Sequence, residues 1–300
     1  MPPKLSDVEA AKAAMRALII ACAKGNKGGL SLVGLLLERL GAYTNFITLE
    51  LKQQARFRQP PTCRNEAELP PPDECVFDVG SNNGDDTAYY LRKGFRVIAI
   101  EANPTLVKVL RRRYADEIEV GKVKVLNIAV IADGRSQIEF FVNDDNDHWS
   151  TALVPGNRSS FRPIRVPSET ISRLIKKFSV PYYLKLDIEG GEHGVLQELF
   201  ATPYRPPFVS AEAYSIEVLI RFVAAGYKRF KIVEGRFVHS PYYRGPFKDT
   251  AGTLFTYEFT RNNSSGPFGN DIPGPWLNSD EVFAYLVRHG LGWKDIHAAW

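Results

Sequence analysis

Short apolar runs alternate with amphipathic stretches along most of the chain after residue 74. Cys75–Val79 is apolar except for Asp78 and ends at Gly80, which suits a buried strand running into a glycine turn; Asp85, Asp86 and Thr87 then open a helix-like segment. Phe95–Ile100 reads as a second strand and Val123–Ile128 as a third. Between them Pro104–Tyr114 reads as a helix, with Leu106, Val109 and Leu110 inward and Arg111, Arg112 and Arg113 outward. Ser136–Val142 is a further strand, and the polar Asn143–Thr151 with the stretch to Val166 reads as a loop at a site mouth, where His148 and Trp149 could face substrate. Ser168–Phe178 predicts a helix with Ile171, Leu174 and Ile175 on one face, Pro181–Leu186 a strand, Glu192–Phe200 a helix and Phe208–Ala211 a strand. Tyr227–Val233 and Thr253–Phe259 are expected to close the sheet as antiparallel strands, Asn262–Trp276 to form a lid or substrate-contact loop or else a tail packed on the surface, and Ser279–His289 a last helix. Such alternation predicts an α/β fold, a mostly parallel sheet with helices on both faces.

Upstream, Val8–Ala23 is alanine-rich and Leu30–Leu40 is apolar, so both favour helix. Pro60, Pro61 and Pro70–Pro72 bracket an extended linker. The expected division is a basic helical extension over 1–65, a main domain over 66–260 and a C-terminal lid or tail with a short helix over 261–300. The whole chain carries a formal charge of +4, while residues 1–65 alone hold ten Lys and Arg against four acids, so the basicity lies in the extension. It reads as a helical cap, or as a dimerisation or acidic-partner surface through which the chain forms a homo-oligomer. Three cysteines at scattered spacings argue against a disulfide framework or a zinc site and favour a reducing compartment. No apolar run approaches the length of a membrane span, and Asp7 and Glu9 sit where a signal peptide is positive, so a cytoplasmic location is expected.

The glycine loop carries the first chemistry. Gly80 and Gly84 let the backbone turn and approach a ligand, and Asp78 is costly to bury without a cationic or donating partner. Glu101 ends the second strand roughly 20 residues beyond the loop, where a nucleotide fold places the acid that holds ribose hydroxyls. The dinucleotide pattern fails because Asn82 fills the slot of its middle glycine, and no phosphate-binding G-x-x-x-x-G-K-[ST] follows. An acid before the loop, a relaxed glycine pattern and a ribose-binding acid suit a cofactor with a positive amino-acid end and no phosphate, a description that fits S-adenosylmethionine.

Three ordered motifs then carry a resemblance. D-V-G-S-N-N-G-D-D-T at Asp78–Thr87, I-E-A-N-P at Ile100–Pro104 and L-K-L-D-I-E-G-G-E at Leu184–Glu192 resemble the successive motifs of the FkbM family of S-adenosylmethionine-dependent methyltransferases. Ser81 and Ala102 stand where alanine and proline are expected. The resemblance implies a class I methyltransferase, Rossmann-like, with a seven-stranded mostly parallel sheet. It also implies that Asp78, Gly80, Ser81, Asn82, Gly84, Thr87, Glu101, Ala102 and Asp187 hold the cofactor, with Asn127 and Ala129 at the adenine.

The acids after the fourth main strand carry the second chemistry. Lys185, Asp187, Glu189, Glu192 and His193 lie close together, with Glu212 at the end of the next strand, and ligands of open parallel sheets sit beyond the carboxyl ends of the strands. Glu192 could instead cap the helix it begins. A hydroxyl acceptor needs a base, or a metal that lowers its pKa. His193 is the candidate base; Asp187, Glu189 and Glu212 are the candidate ligands of a divalent metal; Lys185 could stabilise developing negative charge. No Asn/Asp-Pro-Pro-aromatic string follows the fourth main strand, which argues against nucleic-acid bases as acceptors. The resemblance points to O-methylation of a sugar or natural-product-like small molecule, with N-methylation of a small molecule or peptide as the near alternative. A nucleotide-cofactor oxidoreductase and a non-catalytic binding module are the remaining classes.

Overall fold

A computed structural model describes residues 74–143, 145, 150–156, 159–261 and 264–300. The extension over 1–65, its two expected helices, Cys22, Cys63, His148 and Trp149 lie outside the described residues. The strands are β1 (Cys75–Val79), β2 (Arg96–Glu101), β3 (Val123–Asn127), β4 (Ala129–Val130), β5 (Gln137–Asn143), β6 (Phe161–Glu169), β7 (Tyr183–Leu186), β8 (Phe208–Glu212), β9 (Arg229–Glu234), β10 (Phe247–Lys248), β11 (Leu254–Phe255) and β12 (Lys294–Ala299). The helices are α1 (Asp85–Arg92), α2 (Pro104–Arg113), α3 (Ala115–Glu119), α4 (Ile171–Phe178), α5 (Glu192–Phe200), α6 (Ile216–Ala225) and α7 (Ser279–His289).

Seven strands form one sheet in the order β3-β2-β1-β7-β8-β12-β9. β3, β2, β1, β7 and β8 pair in parallel, and β12 runs antiparallel to both β8 and β9. This is the class I methyltransferase arrangement that the motifs imply: the order reverses beside β1, and one reversed strand lies next to the far edge.

Alternation along β1 separates the two faces. Phe77 and Val79 join one core with Leu184, Leu186, Leu196, Phe222 and Ile296, beneath α4, α5 and α6. Val76 joins the other with Tyr89, Tyr90, Phe95, Tyr183 and Phe268. α2 starts sharply because Asn103 accepts the Thr105 N–H at 3.0 Å and Pro104 occupies the first turn, where its missing N–H costs nothing.

Four expectations are corrected. Tyr227–Val233 falls on edge strand β9, which closes the sheet in an antiparallel pair with β12, whereas Thr253–Phe259 contributes only β11 to a two-stranded ribbon with β10 and the remaining antiparallel strand is β12. β12 escapes a hydropathy reading because it buries Lys294, Asp295 and His297, with Lys294 Nζ 3.7 Å from Glu234 and His297 stacked on Tyr183. Asn262–Trp276 is no surface tail where it is described, since Ser264 and Ser265 are buried and Phe268 stacks on Tyr183 at 4.1 Å. The stretch before Val166 is strand β6, hairpinned to β5, and in α2 Val107 is buried while Val109 is 40% exposed.

Candidate active site

A cavity of about 670 Å³ opens beyond the carboxyl ends of β1, β2, β7 and β8, within the size range of small-molecule sites. Gly80, Ser81, Asn82, Glu101, Ala102, Ala129, Lys185, Asp187, Glu189 and Glu212 line it, so these sequence-derived candidates are brought together. Asp78, Gly84, Thr87, Asn127 and His193 are not among the lining residues.

Glu101 stands at the end of β2 with its carboxylate fixed from both sides. Oε2 accepts the Asn82 N–H at 2.9 Å and Oε1 accepts the Asn103 N–H at 2.7 Å. Asn127 donates from Nδ2 to the carbonyls of Glu101 and Ala102, at 3.1 and 2.9 Å, and so holds the strand end without reaching the cavity. Burial pushes the Glu101 carboxyl up to about 7, against the pull of the Asn103 and Asn82 amides. A carboxyl raised in this way stabilises the fold below its unfolded value, 4.5, and that contribution is lost as pH rises through about 7. The stability of the wild type relative to Glu101→Gln should therefore fall by about 1.4 kcal/mol per pH unit between about pH 5 and 7. Urea unfolding at several pH values checks this, and parallel curves would exclude it.

Lys185 on β7 is a hub. Its Nζ lies 3.5 Å from Asp78 Oδ1, 3.2 Å from Asp86 Oδ2 and 3.2 Å from Asp187 Oδ2. The pair with Asp78 follows from register, because Asp78 and Lys185 face each other across β1 and β7. Burial alone lowers an ammonium's pKa, yet these carboxylates hold Lys185 well above its ordinary value. Asp78 thus has an internal cationic partner, and also accepts the Thr87 hydroxyl at 2.6 Å. The charge of Lys185 is shared among three carboxylates while its side chain also lines the cavity.

Asp86 was legible in the motif but not singled out. It accepts the Ser264 hydroxyl and the Ser265 N–H at 3.0 Å, tying α1 to the segment after residue 264.

The turn after β7 places the remaining acids. Glu189 adopts φ +57° and Gly190 φ +107°, so a non-glycine residue is held in the left-handed region at the cavity. Glu189 Oε2 accepts the Tyr214 hydroxyl at 3.0 Å, and burial, then Asp187, pushes its carboxyl up to about 8. Glu192 turns back to accept the N–H groups of Ile188 and Gly190, at 2.8 and 3.0 Å, so it closes the turn and α5 begins on it. His193, the next residue along α5, is partly buried and contributes nothing to the cavity wall. Glu212 and Asp295 face each other across β8 and β12, and burial, then Asp187, raises both carboxyls.

Sequence reasoning missed the aromatic residues of the mouth. Tyr214, 44% exposed, and Trp293, 36% exposed, both line the cavity. The Trp293 indole lies against Gly235, where a Cβ would meet Nε1 at 2.1 Å. Neither stands in a periodic pattern, and Trp293 was assigned to a tail; its neighbour Asp295 on a buried strand was the available signal.

A family model for the methyltransferase FkbM domain matches residues 78–225, which span all three motifs. No curated protein matches the chain in sequence. Among solved structures, a precorrin-6Y C5,15-methyltransferase from Geobacter metallireducens is similar at 11% identity and TM-score 0.32, over 62% of this chain and 73% of that one. A SAM-dependent O-methyltransferase from Thermotoga maritima is similar at 10% identity and TM-score 0.36, over 76% and 60%. A SAM-dependent methyltransferase from Geobacter sulfurreducens, in complex with S-adenosyl-L-homocysteine, is similar at 16% and 0.30, over 55% and 63%. Likenesses this distant carry nothing about acceptor or mechanism. The family match falls on strands and turns that build the cavity, and residues 78–225 form a methyltransferase FkbM domain, that of an S-adenosylmethionine-dependent methyltransferase.

Proposed function

We propose that the protein methylates a hydroxyl group on a sugar or natural-product-like small molecule. The observation that carries this reading is that the carboxylates of Asp187, Glu189 and Glu212 and the rings of Tyr214 and Trp293 line one cavity. Carboxylates accept hydrogen bonds from hydroxyls, and aromatic faces pack against the apolar face of a ring.

The same cavity fits the cofactor by its donor set. Glu101 has used one lone pair of each oxygen on a backbone amide and keeps the others for two ribose hydroxyls. Ile128, Ala129 and Phe140 give an apolar wall for a flat base, and Asp86, Asp187 and the Ser264–Ser265 segment a polar floor for an amino-acid end. Bound there, S-adenosylmethionine supplies an electrophilic methyl group. The chain's own work is to position the acceptor and to screen the site from water, which supplies much of the acceleration in such transfers.

Glu101→Ala should weaken S-adenosylmethionine binding by about 1.5 to 3 kcal/mol, the range for hydrogen bonds to a charged group. An unchanged calorimetric affinity would remove Glu101 from the cofactor site. A screen of polyhydroxylated acceptors against amine analogues, read by release of S-adenosylhomocysteine, tests the acceptor; turnover confined to the amines would overturn the hydroxyl assignment.

A further inference from the structure

We propose that Asp187, Glu189 and Glu212 bind one hard divalent cation of the magnesium or manganese class. One carboxylate oxygen from each lies within 4.8 Å of the others. Acidic clusters are common without an ion, so the deciding observation is a single atom. Glu212 is 3% exposed, and among the described residues its Oε1 accepts no hydrogen bond. A buried carboxylate oxygen without a partner is expensive, and Glu212 lines the cavity together with the other two acids of the cluster. Asp187 gives Oδ2 to Lys185 and Glu189 gives Oε2 to the Tyr214 hydroxyl, which leaves each with its other oxygen for a further partner.

Charge balance points the same way. Asp86, Glu101, Asp187, Glu189 and Glu212 line the cavity with Lys185 as the only Lys or Arg among the lining residues, and Lys185 is shared with Asp78 as well. S-adenosylmethionine brings a sulfonium, an ammonium and a carboxylate, a net charge of +1, too little for that many acids. Three carboxylate oxygens without histidine or cysteine form a hard donor set, which selects magnesium, manganese or calcium over zinc or copper. Three monodentate ligands leave positions of an octahedral ion open.

What the ion does rests on the methyltransferase reading given above. An acceptor hydroxyl would take one of the open positions, and its pKa would fall; its O–H bond then breaks with the proton passing to water, without a histidine base. This accounts for a hydroxyl-directed site from which His193 is absent.

The binding claim is tested without cofactor or acceptor. Manganese(II) is titrated into the purified full-length protein and followed by electron paramagnetic resonance and calorimetry, with magnesium as competitor. One saturable site is expected, and Glu212→Gln and Glu189→Gln should each weaken it by at least about tenfold while keeping the wild-type circular dichroism spectrum. No saturable binding by about 1 mM manganese, or equal affinity in both folded variants, overturns the site. S-adenosylmethionine affinity of the chelator-treated protein is measured alongside. Cofactor binding without manganese binding sinks the cation site alone, and manganese binding without cofactor binding sinks the cofactor reading alone.

Discussion

Lys185→Met is expected to cost the protein about 3 to 5 kcal/mol of stability, the usual penalty for breaking a buried ion pair by removing one partner. The methionine fills nearly the same volume, so the loss is electrostatic. Lys185 is 4% exposed and stands between Asp78, which is fully buried, and Asp86, which is 3% exposed. Without the ammonium these two carboxylates repel each other in a medium that screens poorly. Adding Asp86→Asn to the variant should recover at least about 1 kcal/mol, a coupling expected of residues in one network. Chemical unfolding of the four proteins of this cycle checks both numbers. A single-variant loss below about 1 kcal/mol would show that the hub contributes little, as exposed pairs do.

Gly80→Ala is the second large effect, expected to exceed about 4 kcal/mol or to abolish soluble expression. Gly80 adopts φ +78°, which already disfavours a side chain. A Cβ there would lie 1.7 Å from the carbonyl oxygen of Asp187. Neither side can give way: Gly80 and Ser81 donate their N–H groups to Ile100 O at 2.9 and 3.1 Å, and the Asp187 N–H donates to Val79 O at 3.0 Å. The glycine is thus required by the protein's own backbone, where the sequence suggested the approach of a cofactor. Gly156→Ala is the control, since a Cβ at Gly156 meets nothing within 4 Å among the described residues. A melting temperature for Gly80→Ala equal to that of the control would show that the two turns are not packed this closely.

What was legible in the sequence is what local rules determine. The strand-turn-helix at Cys75–Arg92, the acid at the end of β2 and the start and end of α5 and α7 follow from apolar runs, glycine turns and caps. The candidates at those turns line one cavity because parallel strands bring their carboxyl ends together. What was not legible depends on partners distant in sequence. Asp78 asks for a cation, but nothing near it in the chain reveals that β7 will lie alongside with Lys185 in register. His193 follows Glu192 in sequence, yet Glu192 folds back on the Ile188 and Gly190 amides and the next position on the helix turns away from the cavity. β12 hides because its polar residues are paired by tertiary neighbours, and periodicity cannot see a lysine whose partner is Glu234.

The late position of β12 bears on how the chain is made. β8 ends at Glu212 and β9 at Glu234, but the strand that joins them begins only at Lys294. As the polypeptide emerges from its N-terminal side, β8 therefore presents an open edge through the synthesis of everything from β9 to α7. An unpaired edge of this kind is a template for other strands. Nascent or prematurely terminated chains that stop before residue 294 should be the aggregation-prone species, and chaperones would meet this protein at that edge.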